Sequence, residues 1–319
     1  MSINEQKAAY IGNFLDKKSG VIVNSGTLAI LSALKLANIK ENDLVLISGY
    51  CCYSLFEAIS NIGAKTVFIK PNNFFNISIT EIDEVIKKYN IKCFIATHQY
   101  GIVQDIKEIR NKYPNLVIIE DIAQAWNIVE NQEAIGKYSD LIVTSFGLTK
   151  PLSYGQAGAV FGTNDISEYF DLHDRDSRNK NCLLLPYALY DCNNINEIDL
   201  VNNANKIVSH QIEIASYLEE VFNNNRNVKI HIDKNMQSSV WQRFPVIIDN
   251  EDYIPYIEKN LKEFDILYQW QNELETWELE MVKNTPHILV GDNPKPKYIL
   301  IRTRQNEIEN VKRLLRRKI

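Results

Sequence analysis

The sequence predicts an α/β fold, a large and mostly parallel sheet with helices on its faces, followed by a small C-terminal α+β unit. Over the first two hundred residues, short apolar runs alternate with longer amphipathic ones, which is the pattern of βαβ units. The short runs are nearly continuous in Val, Ile, Leu and Phe, as strands buried on both faces require. Beyond residue 197 the rhythm changes to one long helical stretch and then a few strands and helices in no βαβ order.

In chain order the expected strands are 21–24, 44–48, 65–70, 92–98, 116–121, 140–146 and 158–163, each bounded by polar or glycine residues. Between them, residues 27–37 keep apolar side chains at helical spacing. Residues 79–89 open on a Thr cap candidate and carry a Glu–Lys pair four residues apart. After an Asn-rich patch near 193–197, residues 197–222 read as one long helix bridging to the second unit. That unit is expected to hold strands at 241–248, 266–271 and 297–302 and helices at 253–264 and 305–318. The expected division is 1–205 for the large domain and 206–319 for the small one. No repeat or low-complexity tract argues for a solenoid.

Of the 319 residues, 45% are hydrophobic and 24% charged, enough apolar material for a sizeable core. The formal charge of -5 supplies no basic field for a nucleic-acid backbone or an anionic membrane, so neither partner is expected. No apolar run approaches the roughly 20 residues that span a bilayer, and the start MSINEQKAAYIG lacks a signal-peptide pattern. A cytoplasmic protein is expected. Cys51, Cys52, Cys93, Cys182 and Cys192 form no CxxC pair, so reduced thiols are expected rather than disulfides or zinc. The five histidines form no HxH or HExxH pair, and no metal is expected.

Three local patterns fall at strand ends, where an open α/β sheet binds its ligand. Asn24-Ser25-Gly26-Thr27 follows a strand and opens a helix, so free backbone N–H groups and a hydroxyl can face an anion such as phosphate. The same residues also make an ordinary helix cap. Asp121 ends the LVIIED run with Gln124 three residues on, and a buried carboxylate there needs a cationic or N–H partner. Helix capping by Asp121 is the plainer alternative. Lys150 closes Ser145-Phe146-Gly147-Leu148-Thr149-Lys150 ahead of Pro151, where a desolvated amine would act as a nucleophile toward a carbonyl. Most lysines are simply solvated. Together the anion cradle, carboxylate and strand-end lysine match the three attachments of pyridoxal phosphate.

The order SGT, HxYG (His98, Tyr100, Gly101), EDxAQ and SFxxTK resembles the DegT/DnrJ/StrS family of sugar aminotransferases, a branch of the fold type I pyridoxal-phosphate enzymes, over roughly residues 8–165. The resemblance implies a fold type I transferase-like architecture and a homodimer. It implies that Lys150 forms the Schiff base with pyridoxal 5′-phosphate and then shuttles a proton, and that Asp121 pairs with the ring nitrogen. Gln124 would lie beside the ring, and Ser25, Gly26, Thr27 and Ser145 would surround the phosphate. The family's ring-stacking aromatic aligns with Cys52, with Tyr50 and Tyr53 on either side. Asp174-Arg175-Asp176-Ser177-Arg178-Asn179 is the candidate for the segment lent across the dimer, while His98 reads as structural. The retained lysine argues for transamination, with an amino-acid donor, L-glutamate, and a keto group on a nucleotide-linked sugar as acceptor. A small phosphorylated ketone or aldehyde as acceptor, and a non-catalytic cofactor-binding regulatory or scaffold paralogue, are the alternatives.

Overall fold

A computed structural model describes residues 1–70, 76–126, 129–130, 133–166, 169–170, 189–223, 228–229, 239–248, 250–263, 267–268, 279–291, 298–303 and 308–316. The chain opens with helix α1 (Ile3–Gly12), which the apolar pattern did not announce. Ser2 and Glu5 form a reciprocal capping box at its start. Strand β1 (Ser19–Val23) follows and lies at one edge of the main sheet. Its exposed edge is blunted by Asn4, whose amide accepts from Ile22 N–H and donates to Ile22 C=O, both at 2.8 Å.

Helix α2 (Gly26–Leu36), β2 (Leu44–Ser48), helix α3 (Tyr53–Asn61), β3 (Lys65–Ile69), helix α4 (Ile79–Lys88), β4 (Ile91–Thr97), helix α5 (Lys107–Lys112) and β5 (Val117–Asp121) continue the alternation. A two-residue ribbon, β6 (Val129–Glu130) with β7 (Glu133–Ala134), precedes β8 (Leu141–Ser145) and β9 (Gly158–Gly162). The sheet order is β1-β9-β8-β5-β4-β2-β3-β13, where β13 (His287–Val290) comes from the C-terminal part of the chain. Strand β9 runs antiparallel to β1 and β8, and the other pairings are parallel. The continuous apolar runs are explained by burial on both faces. Val21, Val23, Ile47 and Val143 pack under α2 and α3, whereas Ile22, Ile142 and Phe161 face α1 and Trp126.

Helix α6 (Glu197–Asn223) is the expected bridge. Leu200, Val201, Ala204 and Val208 pack beneath the main sheet. Ile214, Leu218 and Phe222 cover a second, antiparallel sheet of order β10-β11-β14-β12, made of Val228–Lys229, Arg243–Ile248, Tyr298–Arg302 and Leu267–Tyr268. Helices α7 (Ile254–Glu263) and α9 (Ile308–Arg316) pack on this smaller unit, and α8 (Glu280–Lys283) leads into β13. The unit expected from residue 206 onward therefore returns one strand to the main sheet, where His287–Val290 pairs with β3. Residues 266 and 269–271 of the strand expected at 266–271 lie outside the described residues. Among the described residues, no helix is long and apolar enough to cross a membrane.

Candidate active site

Strands β8, β5 and β4 are neighbours, so their carboxyl ends place Ser145, Asp121 and Thr97 along one edge of the sheet. With the start of α2 and the Lys150 turn they enclose a cavity of about 310 Å³. All eight residues selected from the sequence line it: Ser25, Gly26, Thr27, Cys52, Asp121, Gln124, Ser145 and Lys150. Sites separated by more than a hundred residues are thus brought together by the strand order.

Ser25 does serve as a helix cap, since its hydroxyl accepts from Leu28 N–H at 3.1 Å. That leaves the Gly26 and Thr27 N–H groups, which no intrahelical carbonyl can take, at the positive end of α2. The helix end sits hard against β8, because a Cβ added to Gly26 would lie 2.9 Å from Ser145 Cβ. A Cβ on Gly158 would lie 2.6 Å from Thr144 O and 2.8 Å from Gly26 N. Two glycines are therefore required for the helix N-terminus to reach the strand ends, as an anion cradle demands.

Asp121 makes a local bond, accepting from Ala123 N–H at 2.9 Å, and is also buried on the cavity wall. Burial pushes its carboxyl above the usual carboxylate range, against the opposing pull of the Ala123 N–H, Lys150 and His98. Lys150 responds in the other sense. Burial drives its ammonium below the ordinary lysine range, while Asp121 and Cys52 work to restore it and Arg243 adds to the depression. The lysine sits on a tight turn, with Lys150 N–H donating to Gly147 O at 2.9 Å and Gly147 N–H to Ser145 Oγ at 3.3 Å. From the smaller unit, Gln242 Nε2 donates to Thr149 O at 2.7 Å.

Gln124 is oriented by its neighbour. The Tyr100 N–H donates to Gln124 Oε1 at 2.6 Å, so the amide's remaining hydrogen-bonding group is the donor Nε2. Tyr100 itself holds φ of 58°, in the left-handed region, and Gly101 follows at 81°. His98 is buried and fully engaged. Gln104 N–H donates to Nδ1 at 3.0 Å, so Nε2 carries the proton toward Glu120 Oε1 at 3.1 Å, and the histidine is structural.

Cys52 is exposed at the cap position of α3 without a side-chain cap bond, and lines the cavity. Tyr50 and Tyr53 instead pack against hydrophobic clusters. The segment from Asp174 to Asn179, and Cys182, lie outside the described residues. Cys51, Cys52, Cys93 and Cys192 are free thiols, and no metal-binding cluster occurs among the described residues. Sequence reasoning did not select Thr97 and Gln99 on the cavity wall, or Gln242. Thr97 had a readable signal as a polar residue at a strand's carboxyl end; Gln242 had none.

The model of the DegT/DnrJ/EryC1/StrS aminotransferase family matches residues 4–287. The chain belongs to this family. Relatives of this family member include a GDP-perosamine synthase of Vibrio cholerae, 28% identical over 156 residues, covering 48% of this chain and 42% of that one. Another is a dTDP-3-amino-3,4,6-trideoxy-alpha-D-glucose transaminase of Micromonospora megalomicea subsp. nigra, 31% identical over 146 residues, or 45% of this chain and 39% of the relative. The matched stretch thus spans less than half the length of these curated relatives. A DegT DnrJ EryC1 StrS aminotransferase from Brucella abortus superposes with a TM-score of 0.78 at 17% identity, covering 98% of this chain and 88% of that one, a likeness of fold.

Proposed function

We propose that the protein is an aminotransferase that uses pyridoxal 5′-phosphate to carry an amino group from an amino-acid donor, L-glutamate, to a keto group of a nucleotide-linked sugar. The observation that carries the reading is a half-buried lysine and a buried carboxylate facing one cavity whose far wall is a helix N-terminus. The donor set fits that cofactor: Gly26 and Thr27 N–H with the Ser145 hydroxyl for a phosphate, Asp121 for a ring N–H, Gln124 Nε2 for a phenolic oxygen, and Lys150 for an aldehyde. The two glycines whose Cβ atoms would fill the cradle support the same fit. Family membership supports transamination, and the names of the relatives support a nucleotide-sugar acceptor.

When bound, the cofactor supplies a reactive aldehyde carbon and an electron-withdrawing ring. Lys150 contributes an amine with a depressed pKa, so a larger fraction is unprotonated and nucleophilic at neutral pH than for a solvated lysine. As the amine of the cavity, Nζ would take a proton from the substrate carbon, hold it beside Asp121 and give it back to carbon. Asp121 holds the proton on the ring nitrogen. Cys52 and Ala123, both on the cavity wall, would border the ring. The protein works as a homodimer in this reading, which rests on family membership.

The test is the visible absorption spectrum of the purified protein with added pyridoxal phosphate, before and after L-glutamate, alongside Lys150→Ala. A band that needs Lys150 and bleaches with glutamate is expected. A band that persists with every amino donor would overturn transamination, and no band at all would overturn the cofactor.

A further inference from the structure

A buried polar group without a partner loses its hydration and gains nothing in return, so each one in a folded protein asks for an explanation. Two such atoms, Thr97 Oγ1 and Gln99 Oε1, have no partner among the described residues and stand on the wall of the same cavity. Thr97 is 8% exposed and Gln99 1% exposed. They flank His98, whose ring is engaged by Glu120 and Gln104, so the two free groups are not shared with that structural pair.

Their position follows from the strand register. Thr97 ends β4 and pairs with Asp121 at the end of β5, so the two side chains rise on the same face of the sheet. Strand β8, which carries Ser145, lies on the other side of β5. Along this edge the order is therefore anion cradle, carboxylate, and then the unpartnered polar pair. Gln99 is held there by the turn in which Tyr100 takes a left-handed backbone conformation and gives its N–H to Gln124.

We propose that Thr97 and Gln99 form a ligand-recognition pair for the edge of a heteroaromatic ring remote from its phosphate. This rests on the functional reading above. In pyridoxal phosphate that edge bears the ring nitrogen and the phenolic oxygen. The Thr97 hydroxyl can give a hydrogen bond to the phenolic oxygen beside Gln124 Nε2, and Gln99 Oε1, which only accepts, would share the ring N–H with Asp121. The pair extends the polar contact made by Asp121 and Gln124, and selects ligands with a hydrogen-bonding edge over phosphates that fill only the cradle.

The experiment uses the 319-residue chain and the variants Thr97→Val, Gln99→Leu and Thr97→Ser. Two probes are titrated: pyridoxal phosphate, followed by its visible band, and inorganic phosphate, followed by thermal shift. Each apolar variant is expected to weaken pyridoxal phosphate by roughly two- to tenfold, the worth of one hydrogen bond. Inorganic phosphate protection should be unchanged, and the melting temperature without ligand should equal or exceed that of the unaltered protein, because an unsatisfied buried group has been removed. Thr97→Ser should restore the affinity lost in Thr97→Val. An unchanged affinity for pyridoxal phosphate, or a melting temperature that falls without ligand, would overturn the proposal and leave these residues structural. If the unaltered protein binds inorganic phosphate but no pyridoxal phosphate, the functional reading itself has failed.

Discussion

Gly158→Ala tests the anion cradle from a residue that does not itself line the cavity. The added Cβ would lie 2.6 Å from Thr144 O, and 2.8 Å from both Gly26 N and Ser25 C. All three are backbone atoms, so no side chain can swing away. Bringing these to an ordinary 3.4 Å contact requires the start of α2 to draw back from β9 by about 0.6 Å and β8 to part from β9 by about 0.8 Å. Overpacking of this kind destabilises a core by about 1–3 kcal/mol. For a chain of this size that is a fall in melting temperature of about 2–10 °C. The same displacement draws the Gly26 and Thr27 N–H groups from Ser145, so pyridoxal phosphate should bind several-fold more weakly even where the variant is fully folded. Gly147→Ala is the comparison, because its Cβ would meet Ser145 Oγ at 3.5 Å and Lys150 Cγ at 3.7 Å, both ordinary contacts. Thermal melting with and without cofactor, on both variants, separates the effects. A Gly158→Ala protein with the melting temperature and cofactor affinity of the unaltered chain would refute the close approach of helix and strand.

Lys150 gives a pH prediction. Its folded-state pKa is lowered, so between that value and the ordinary 10.5 the unfolded chain binds the extra proton, and this residue's contribution to stability rises with pH across that window. The pH midpoint for reaction of pyridoxal phosphate with the protein should accordingly lie below 10.5, and Asp121→Asn should lower it further, since the carboxylate is the chief influence holding the proton on. A midpoint at or above 10.5 would contradict the half-buried lysine. Gln242→Leu removes the bond to Thr149 O and should cost about 1 kcal/mol, read as a melting temperature lower by about 2–4 °C, with slower formation of the Lys150-dependent band. An unaltered rate of band formation would mean the lysine turn stands without this contact.

The main sheet was legible because its strands carry their signal locally. The run at 44–48 matches β2 end for end, and the others differ from their strands by one or two residues. What stayed hidden was non-local or weakly patterned. Helix α1 has Ser2 and Glu5 as a start signal, but its polar and apolar residues form no clear stripe. Strand β13 is four residues, half-exposed, and gains its meaning from pairing with β3 two hundred residues upstream. The candidate site follows the same rule. Lys150, Asp121 and the Ser25–Thr27 turn each announce themselves at a strand end, whereas Gln242, and Thr303 that bonds its carbonyl, are ordinary polar residues until the fold brings the smaller unit against the Lys150 turn.

That last arrangement explains why the smaller unit belongs to the site at all. Residues 239–243 cross between the turn that carries Gln99 and the turn that carries Lys150. Val240 N–H donates to Gly101 O at 2.9 Å, Val103 N–H to Ser239 Oγ at 3.3 Å, and Gln242 Nε2 to Thr149 O at 2.7 Å. The segment approaches Gly101 so closely that a Cβ there would lie 2.9 Å from the backbone nitrogens of Trp241 and Gln242. Trp241 holds φ of 52°, and the Thr303 hydroxyl pins the crossing from β14 by donating toward the Trp241 and Gln242 carbonyls at 2.6 and 2.9 Å. Backbone strain at Trp241 and Tyr100 persists only where surrounding bonds over-determine it, and both strained residues belong to this one crossing. The parallel strand ends can present Asp121 and Ser145 unaided, but the lysine stands on a turn beyond the sheet. That turn is held by its own bonds, Lys150 N–H to Gly147 O and Gly155 N–H to Phe146 O, and by the Gln242 bond from the smaller unit, so a change that loosens β11 against β14 should reach Lys150 through Thr149 without altering any residue of the cavity.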